Sequence, residues 1–341
     1  MKKVILLLTL CGTTLSFAQE LETIAELPFR PGNVAVSKEG RVFTTVHPLG
    51  SGKMQLLEIT GKNSYEAFPN EAYQNTDGTI TEDEIDTPLG IRIDDNNVLW
   101  IVDMGQNLGK TRVWGFDIDS KKEVFKYEFP EVIAPKGSFV QDLAIDEVNG
   151  WIYLADIANP GILALNTKTK TVRRFEDRSV QTENIDMVID GKVIEFGGAP
   201  ARVAINPITL SKDNETLYYG AMNGTTWYAI PAKLFREGAS DYTISKAIKV
   251  IGPKPISDGV ATDASGNHYF TNLQHYGVDV LTASGELKPL VRNPKIDWAD
   301  NVALDGNGFI YITVNQLHKS PAFTGGEDLG TPPYYILKMK L

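Results

Sequence analysis

Six copies of one pattern run through the chain, and they constrain its fold more than any other feature. Each copy is a short apolar strand ending in Asp, Asn or Ser, a turn built from Gly, Asn or Asp, and a second strand whose second residue is aromatic. The copies read GNVAVS from Gly32 then VFTTV, LGIRID from Leu89 then LWIVD, and DLAIDEVNG from Asp142 then IYLAD. They continue as RVAIN from Arg202 then LYYGA, DGVATDASGN from Asp258 then HYFTN, and DNVALDGNG from Asp300 then IYITV. The aromatic column is therefore Phe43, Trp100, Tyr153, Tyr218, Tyr269 and Tyr311. Its spacing of about 40 to 65 residues is the period of propeller blades. Six such units predict an all-β chain, a six-bladed β-propeller.

Period-2 alternation of β-branched and aromatic residues, bounded by turn formers, makes each copy a hairpin. The pairs Asn149-Gly150, Asn223-Gly224, Asp258-Gly259 and Asp305-Gly306 fit tight turns with positive φ. The first copy begins at Gly32, which leaves residues 22–27 without a blade of their own; they are expected to pair beside the C-terminal strand 334–341 and close the ring. With 341 residues, 42% of them apolar, one large core is affordable and no linker interrupts it. Residues 19–341 are read as a single propeller domain.

Residues 1–18 read as a secretory signal: Lys2 and Lys3, an apolar stretch, then Ser16-Phe17-Ala18 before Gln19. A lipid-modified Cys11 would require a small residue where Leu10 stands. Cleavage after Ala18 predicts a secreted or periplasmic protein and removes the only cysteine, and with it any disulfide, thiol nucleophile or thiolate metal site. It also takes the formal charge from -10 to -12 by removing two lysines. An acidic chain without clustered Lys and Arg is not expected to bind nucleic acid or anionic membranes, and no other stretch is long enough for membrane insertion. A monomer is expected.

Hairpin neighbours are antiparallel, so starts of first strands and ends of second strands share one face. The first set gives Gln141, Asp142, Ser257, Asp258, Asp300 and Asn301; the second gives Asp103, Asp156 and Asn272, with His47 and Asn223 one residue further on and His275 nearby. One mouth of the central channel should then be acidic and concave, the default place for a small-molecule ligand. Any one of these residues could instead cap a turn by accepting backbone N–H groups. The run 75–84 resembles part of a calcium loop but has Tyr73 where the first ligand belongs, and it reads as an acidic surface loop. No ligand-spaced His pair, Gly-x-Ser-x-Gly elbow or dinucleotide fingerprint appears.

Several stretches together resemble the major royal jelly and yellow protein family: Asn96-Asn97-Val-Leu-Trp100-Ile-Val-Asp103-Met-Gly105, Val113-Trp-Gly-Phe-Asp117, Lys126-Tyr-Glu-Phe-Pro130 and Ser138-Phe-Val-Gln-Asp142. Ile152-Tyr-Leu-Ala-Asp156, Arg174-Phe175, Ser257-Asp258-Gly259, Trp298-Ala-Asp300-Asn301 and Asn315-Gln-Leu317 follow in the same order, so the likeness spans residues 34–341. The cysteines of insect members are missing, which fits a bacterial-type relative. The resemblance implies a secreted six-bladed propeller with a ligand site at the channel mouth. Among such relatives are binders of small amines, nutritive proteins and proteins credited with dopachrome conversion, so a tautomerase acting on a catechol or amine is one implied activity. A non-catalytic scaffold is another reading.

The repeats are also similar, more distantly, to calcium-dependent lactonases of the regucalcin and gluconolactonase type. There a metal is held by Glu in the first blade, Asn in the third and fourth, and Asp in the fifth. Ser257-Asp258-Gly259 keeps the fifth; alignment of the repeats puts Pro31, Gln141 and Ala201 at the others. Calcium wants six to eight oxygens, so this set is short of ligands. No cofactor is expected, and calcium is the one metal left open.

Overall fold

The computed structural model describes residues 20–341 apart from Ser51 and Asp77; the expected signal segment 1–18 lies outside them. Six four-stranded antiparallel sheets are arranged radially. Within five of the sheets the strands follow in chain order, and the first strand of each copy packs against the first strands of neighbouring blades around the axis. These inner strands are Pro31–Val36, Pro88–Ile93, Val140–Asp146, Ile205–Leu210, Val260–Thr262 and Ala299–Leu304. Chain composition follows radius: Pro31–Val36 is buried throughout, whereas the outermost Glu123–Glu128 carries its charges to solvent.

Ring closure occurs in the sixth blade. Its first three strands are Ala299–Leu304, Phe309–Val314 and Tyr334–Lys340, and the outermost is Glu22–Leu27, paired antiparallel with Tyr334–Lys340. The two chain ends thus share one sheet, and the backbone hydrogen bonds between them take the place of a covalent clasp.

The aromatic column is a structural equivalence. Phe43, Trp100, Tyr153, Tyr218, Tyr269 and Tyr311 stand opposite Ala35, Arg92, Ala144, Thr209, Ala261 and Ala303 on the inner strands. A small partner leaves room for a ring between blades in four of the six. Phe43, Tyr153, Tyr269 and Tyr311 are buried, while Trp100 and Tyr218 are half-buried.

Of the four expected glycine turns, Gly150 and Gly306 take positive φ, at 72° and 74°. Gly259 serves a different need: a Cβ there would lie 2.7 Å from Cα of Asn301, so the missing side chain lets the fifth and sixth inner strands approach. The fourth copy is also longer than its sequence pattern suggested, because its inner strand runs on to Leu210 and turns at residues 211–215.

Two excursions leave the blades on the same face. Residues 176–204 carry two small hairpins between the third and fourth blades, and residues 315–333 carry a short helix, Pro321–Thr324, within the sixth. They meet where Phe196 packs edge-on against Phe323 at 5.1 Å. Among the described residues no helix is long and apolar enough to cross a membrane.

Candidate functional site

The strand register defines one equivalent position per blade. Three residues before the partner of each column aromatic stand Gly32, Leu89, Gln141, Asn206, Asp258 and Asp300. Repeat alignment by sequence had put Pro31 and Ala201 in the first and fourth places; the register corrects these to Gly32 and Asn206. Asn206 belongs to the site and was missed, because the copy was ended too early. The turn formers Ser211 to Asn214 were the signal that the strand runs on.

These positions meet across the axis. Oδ1 of Asp258 accepts Nε2 of Gln141 at 2.8 Å and Nδ2 of Asn206 at 2.5 Å, while its Oδ2 accepts the indole Nε1 of Trp298 at 2.9 Å. Three donors from three other blades therefore hold one carboxyl group, with room for a fourth bond. Burial raises the Asp258 pKa to about 7, against the opposing pull of the Trp298, Asn206 and Gln141 bonds.

Above this group lies a cavity of about 230 Å³. Its polar floor is Asp258, Gln141 and His47; its walls are mostly apolar, with Phe139, Met187, Met222 and Trp298 inside and Phe196 and Phe323 at the rim, and Arg202, paired with Asp186, also lines it. Ligand pockets run to about 300 to 1,000 Å³, so its occupant would be compact. His47 is neutral: burial first, and the charge of Arg30 second, lower its pKa to about 3. Its Nδ1 accepts the Leu49 N–H at 3.1 Å, which leaves Nε2 carrying the proton at 3.6 Å from Oδ2 of Asp300, a polar contact and not an ion pair.

Beneath the floor the channel narrows to a throat. Asp142 accepts Nδ2 of Asn33 at 3.3 Å from across the ring, and Asp300 accepts Nδ2 of Asn315 at 2.7 Å. Burial raises Asp142 to about 6, opposed by Arg92; burial and the charges of Asp258 and Asp142 raise Asp300 well above the usual carboxylate range. Arg92 bars the far end, donating to the carbonyls of Leu143 at 3.4 Å and Val260 at 2.8 Å. The channel is thus closed by a guanidinium, which the sequence offered as an ordinary strand residue.

Of the five carboxylates expected to converge, three do. Asp142, Asp258 and Asp300 come together, and Asn301 packs against Gly259, next to Asp258. Asp103 and Asp156 do not. Asp103 accepts the N–H groups of Asp86, Thr87 and Gly105 and pairs with Arg112 at 2.7 Å. Asp156 likewise accepts Ser138, Phe139 and Asn159 and pairs with Arg174. Asn223 accepts the Val203 N–H, Asn272 bonds to Asp279, and His275 sits on Asn272. The second strand lies one sheet spacing, about 4.8 Å, further from the axis, so its last residue faces its own loop. These five brace blade corners and line neither cavity nor throat.

A six-bladed propeller with an apolar cavity set on a braced channel carboxyl is the class that this fold and site define. Residues 87–322 match the family described as major royal jelly protein, and the chain belongs to that family. No curated protein matches it in sequence. Solved structures similar in fold include a gluconolactonase from Xanthomonas campestris, 14% identical over 95% of this chain and 89% of that one, with a TM-score of 0.59. A virginiamycin B lyase from Staphylococcus aureus is 16% identical over 94% and 98%, at 0.54. A luciferin-regenerating enzyme is 12% identical over 95% of both, at 0.59. At such identities the likeness is one of fold alone.

Proposed function

We propose that the protein binds a compact cationic organic molecule, an aromatic amine in the first place, with its ammonium on Asp258 and its ring against Trp298 and Met222. The observation that carries this is the single carboxyl at the base of a cavity whose walls are mostly apolar. An ammonium supplies the donor that the remaining lone pair of Asp258 lacks, and an aromatic wall stabilises both ring and charge. The binding reading also agrees with the small amines expected from the family resemblance.

A tautomerase activity on a catechol or amine would use the same carboxyl, because Asp258 reaches the cavity and its neighbours hold it in one orientation. Such a step takes a proton from one ligand atom and returns it to another, with no net redox change. The lactonase reading gains one ligand from the corrected register: Gln141, Asn206 and Asp258 offer oxygens at three of the four positions, whereas Gly32 offers none. Among the described residues no three His, Cys, Asp or Glu side chains group as a metal cage. Amine binding therefore ranks first.

Calorimetric titration of the purified protein with phenethylamine, tyramine and dopamine tests the proposal, with uncharged phenethyl alcohol as control. Binding of the amines, lost by tenfold or more in Asp258→Asn, is the expected result. Equal binding of the alcohol, or an unaffected Asn variant, would overturn it. Lactone hydrolysis dependent on both calcium and Asp258 would favour the lactonase instead, and silence toward every ligand would leave a scaffold.

A further inference from the structure

Four buried oxygens around the throat have no hydrogen-bond partner: Oδ2 of Asp142, Oδ1 of Asn206, Oδ1 of Asp300 and Oδ1 of Asn301. All four residues are at most 1% exposed. They come from three blades, the third, fourth and sixth. None lines the cavity above, where Asp258 and Gln141 form the floor. A buried acceptor left unpaired costs about 1 to 3 kcal/mol, more when charged, so four in one passage call for a common partner.

What that partner is follows from what surrounds it. Nδ2 of Asn206 is already committed to Asp258, and Nδ2 of Asn301 is turned toward Gly259, where an added Cβ would meet it at 2.8 Å. Three buried carboxyl groups, Asp142, Asp258 and Asp300, lie close enough to raise one another's pKa, and Arg92 reaches only Asp142, its nearest nitrogen 3.7 Å from Oδ2 while bonding Val260. The passage is therefore rich in acceptors, and a cation there would relieve the crowding that raises its carboxyl pKa values. An organic ammonium entering from the cavity is stopped at Asp258, whose Oδ1 the Gln141 and Asn206 amides already hold.

We propose that the throat is a binding site for a small hard cation, calcium above all, held by carboxylate oxygens of Asp142 and Asp300 and amide oxygens of Asn206 and Asn301. Carboxylate and amide oxygens without nitrogen or sulfur suit calcium, which completes six to eight ligands with water, and do not suit zinc. The ion ties the inner strands of three blades together beneath the cavity and stiffens the layer on which Asp258 rests. It shares Asn206 with the lactonase positions but takes its other oxygens from Asp142, Asp300 and Asn301, below the cavity floor, and contacts no ligand in the cavity. The inference does not depend on which molecule the cavity takes.

The test uses the full mature protein, stripped with a chelator and titrated calorimetrically with calcium, with magnesium and sodium in parallel. Calcium should bind one to one, with a Kd of roughly 10⁻³ M or tighter, the range of extracellular modules, and raise Tm. Asp142→Asn and Asp300→Asn should each weaken it at least tenfold, while Asp103→Asn, at a blade corner, should bind it as the parent does once folded. Should the throat variants fail to fold, crystals of the parent grown with calcium decide the matter through an anomalous peak within reach of the four oxygens. No calcium heat and no Tm shift up to about 10 mM, ten times that Kd, would overturn the site. So would calcium binding that Asp258→Asn abolishes and the Asp142 and Asp300 variants retain, since the ion would then sit at the lactonase position. Amine titration of the stripped protein is read separately: its failure sinks the cavity reading alone.

Discussion

The indole of Trp298 reaches Oδ2 of Asp258 at 2.9 Å from a backbone with φ of +57°. Bulky residues avoid that left-handed region, and such strain persists only where the surroundings enforce it. Here the surroundings are a buried slot in which the ring also stacks on His318, 5.6 Å away. The strained turn and the braced carboxyl are one arrangement: the loop before the sixth inner strand bends so that an indole from one blade orients an acid from another.

Trp298→Phe removes that donor and keeps the bend. A hydrogen bond to a charged group contributes about 1.5 to 3 kcal/mol, so amine affinity should fall by about tenfold or more if Asp258 must be held in place to receive the ligand. Calorimetric titration measures it directly. Parent-like affinity in the Phe variant would mean that the indole braces the wall and leaves the carboxyl indifferent.

How far the sequence anticipated this site depends on radius from the axis. The hairpin repeat and its aromatic column were legible because strand alternation and turn chemistry are local. Asp142, Asp258, Asp300 and Asn301 were legible too, as residues at inner strand starts. Asp103, Asp156, Asn223, Asn272 and His275 looked equivalent to them, since a one-dimensional pattern says which face a residue is on but not how far out. Arg92 was hidden for the opposite reason: it lies mid-strand opposite Trp100, where an inner strand residue faces the channel. Phe196 and Phe323 sit in excursions that follow no repeat, and only their contact in space brings them to the cavity.

The blade-corner role of Asp103 predicts a stability effect without a binding effect. Asp103 and Arg112 are both fully buried, and their side chains also engage backbone N–H and C=O groups of the adjoining loop. Asp103→Ala leaves the guanidinium buried and unpaired, a change that typically costs about 3 to 5 kcal/mol. Urea unfolding should show that loss, whereas amine affinity of the folded fraction should match the parent. A weakened affinity with normal stability would put Asp103 back in the ligand site.

The aromatic column should grade by burial. Phe43 is wholly enclosed and packs edge-on against Phe68 at 4.8 Å, so Phe43→Ala should cost about 3 to 5 kcal/mol. Tyr218 occupies the same register position in the fourth blade but is half-buried, in a T-shaped contact with His268 at 4.5 Å. Tyr218→Ala should cost clearly less by the same urea measurement. Equal losses would mean that the column position itself, and not the enclosure of each ring, sets the energetics.

A buried lysine away from the channel gives the chain a pH signature. Lys254 is 2% exposed, its Nζ donating to the carbonyls of Gly224 at 2.8 Å and Pro255 at 2.9 Å. Burial lowers its pKa to about 7, with Glu183 pulling the other way, whereas an unfolded chain holds the proton to about 10.4. Between those two values the unfolded state binds the extra proton, so stability rises with pH; below about 7 both states are protonated and the penalty is constant. In Lys254→Met that contribution is absent, though the two carbonyls lose their donor and the variant carries a fixed offset at every pH. The informative quantity is therefore the slope. From pH 7.5 to 9.5 the parent should gain stability relative to the variant at a rate approaching about 1.4 kcal/mol per pH unit, the value for one proton. Parallel stability curves for the two proteins over that range would show that Lys254 keeps its charge when buried, held by Glu183 and the two carbonyls.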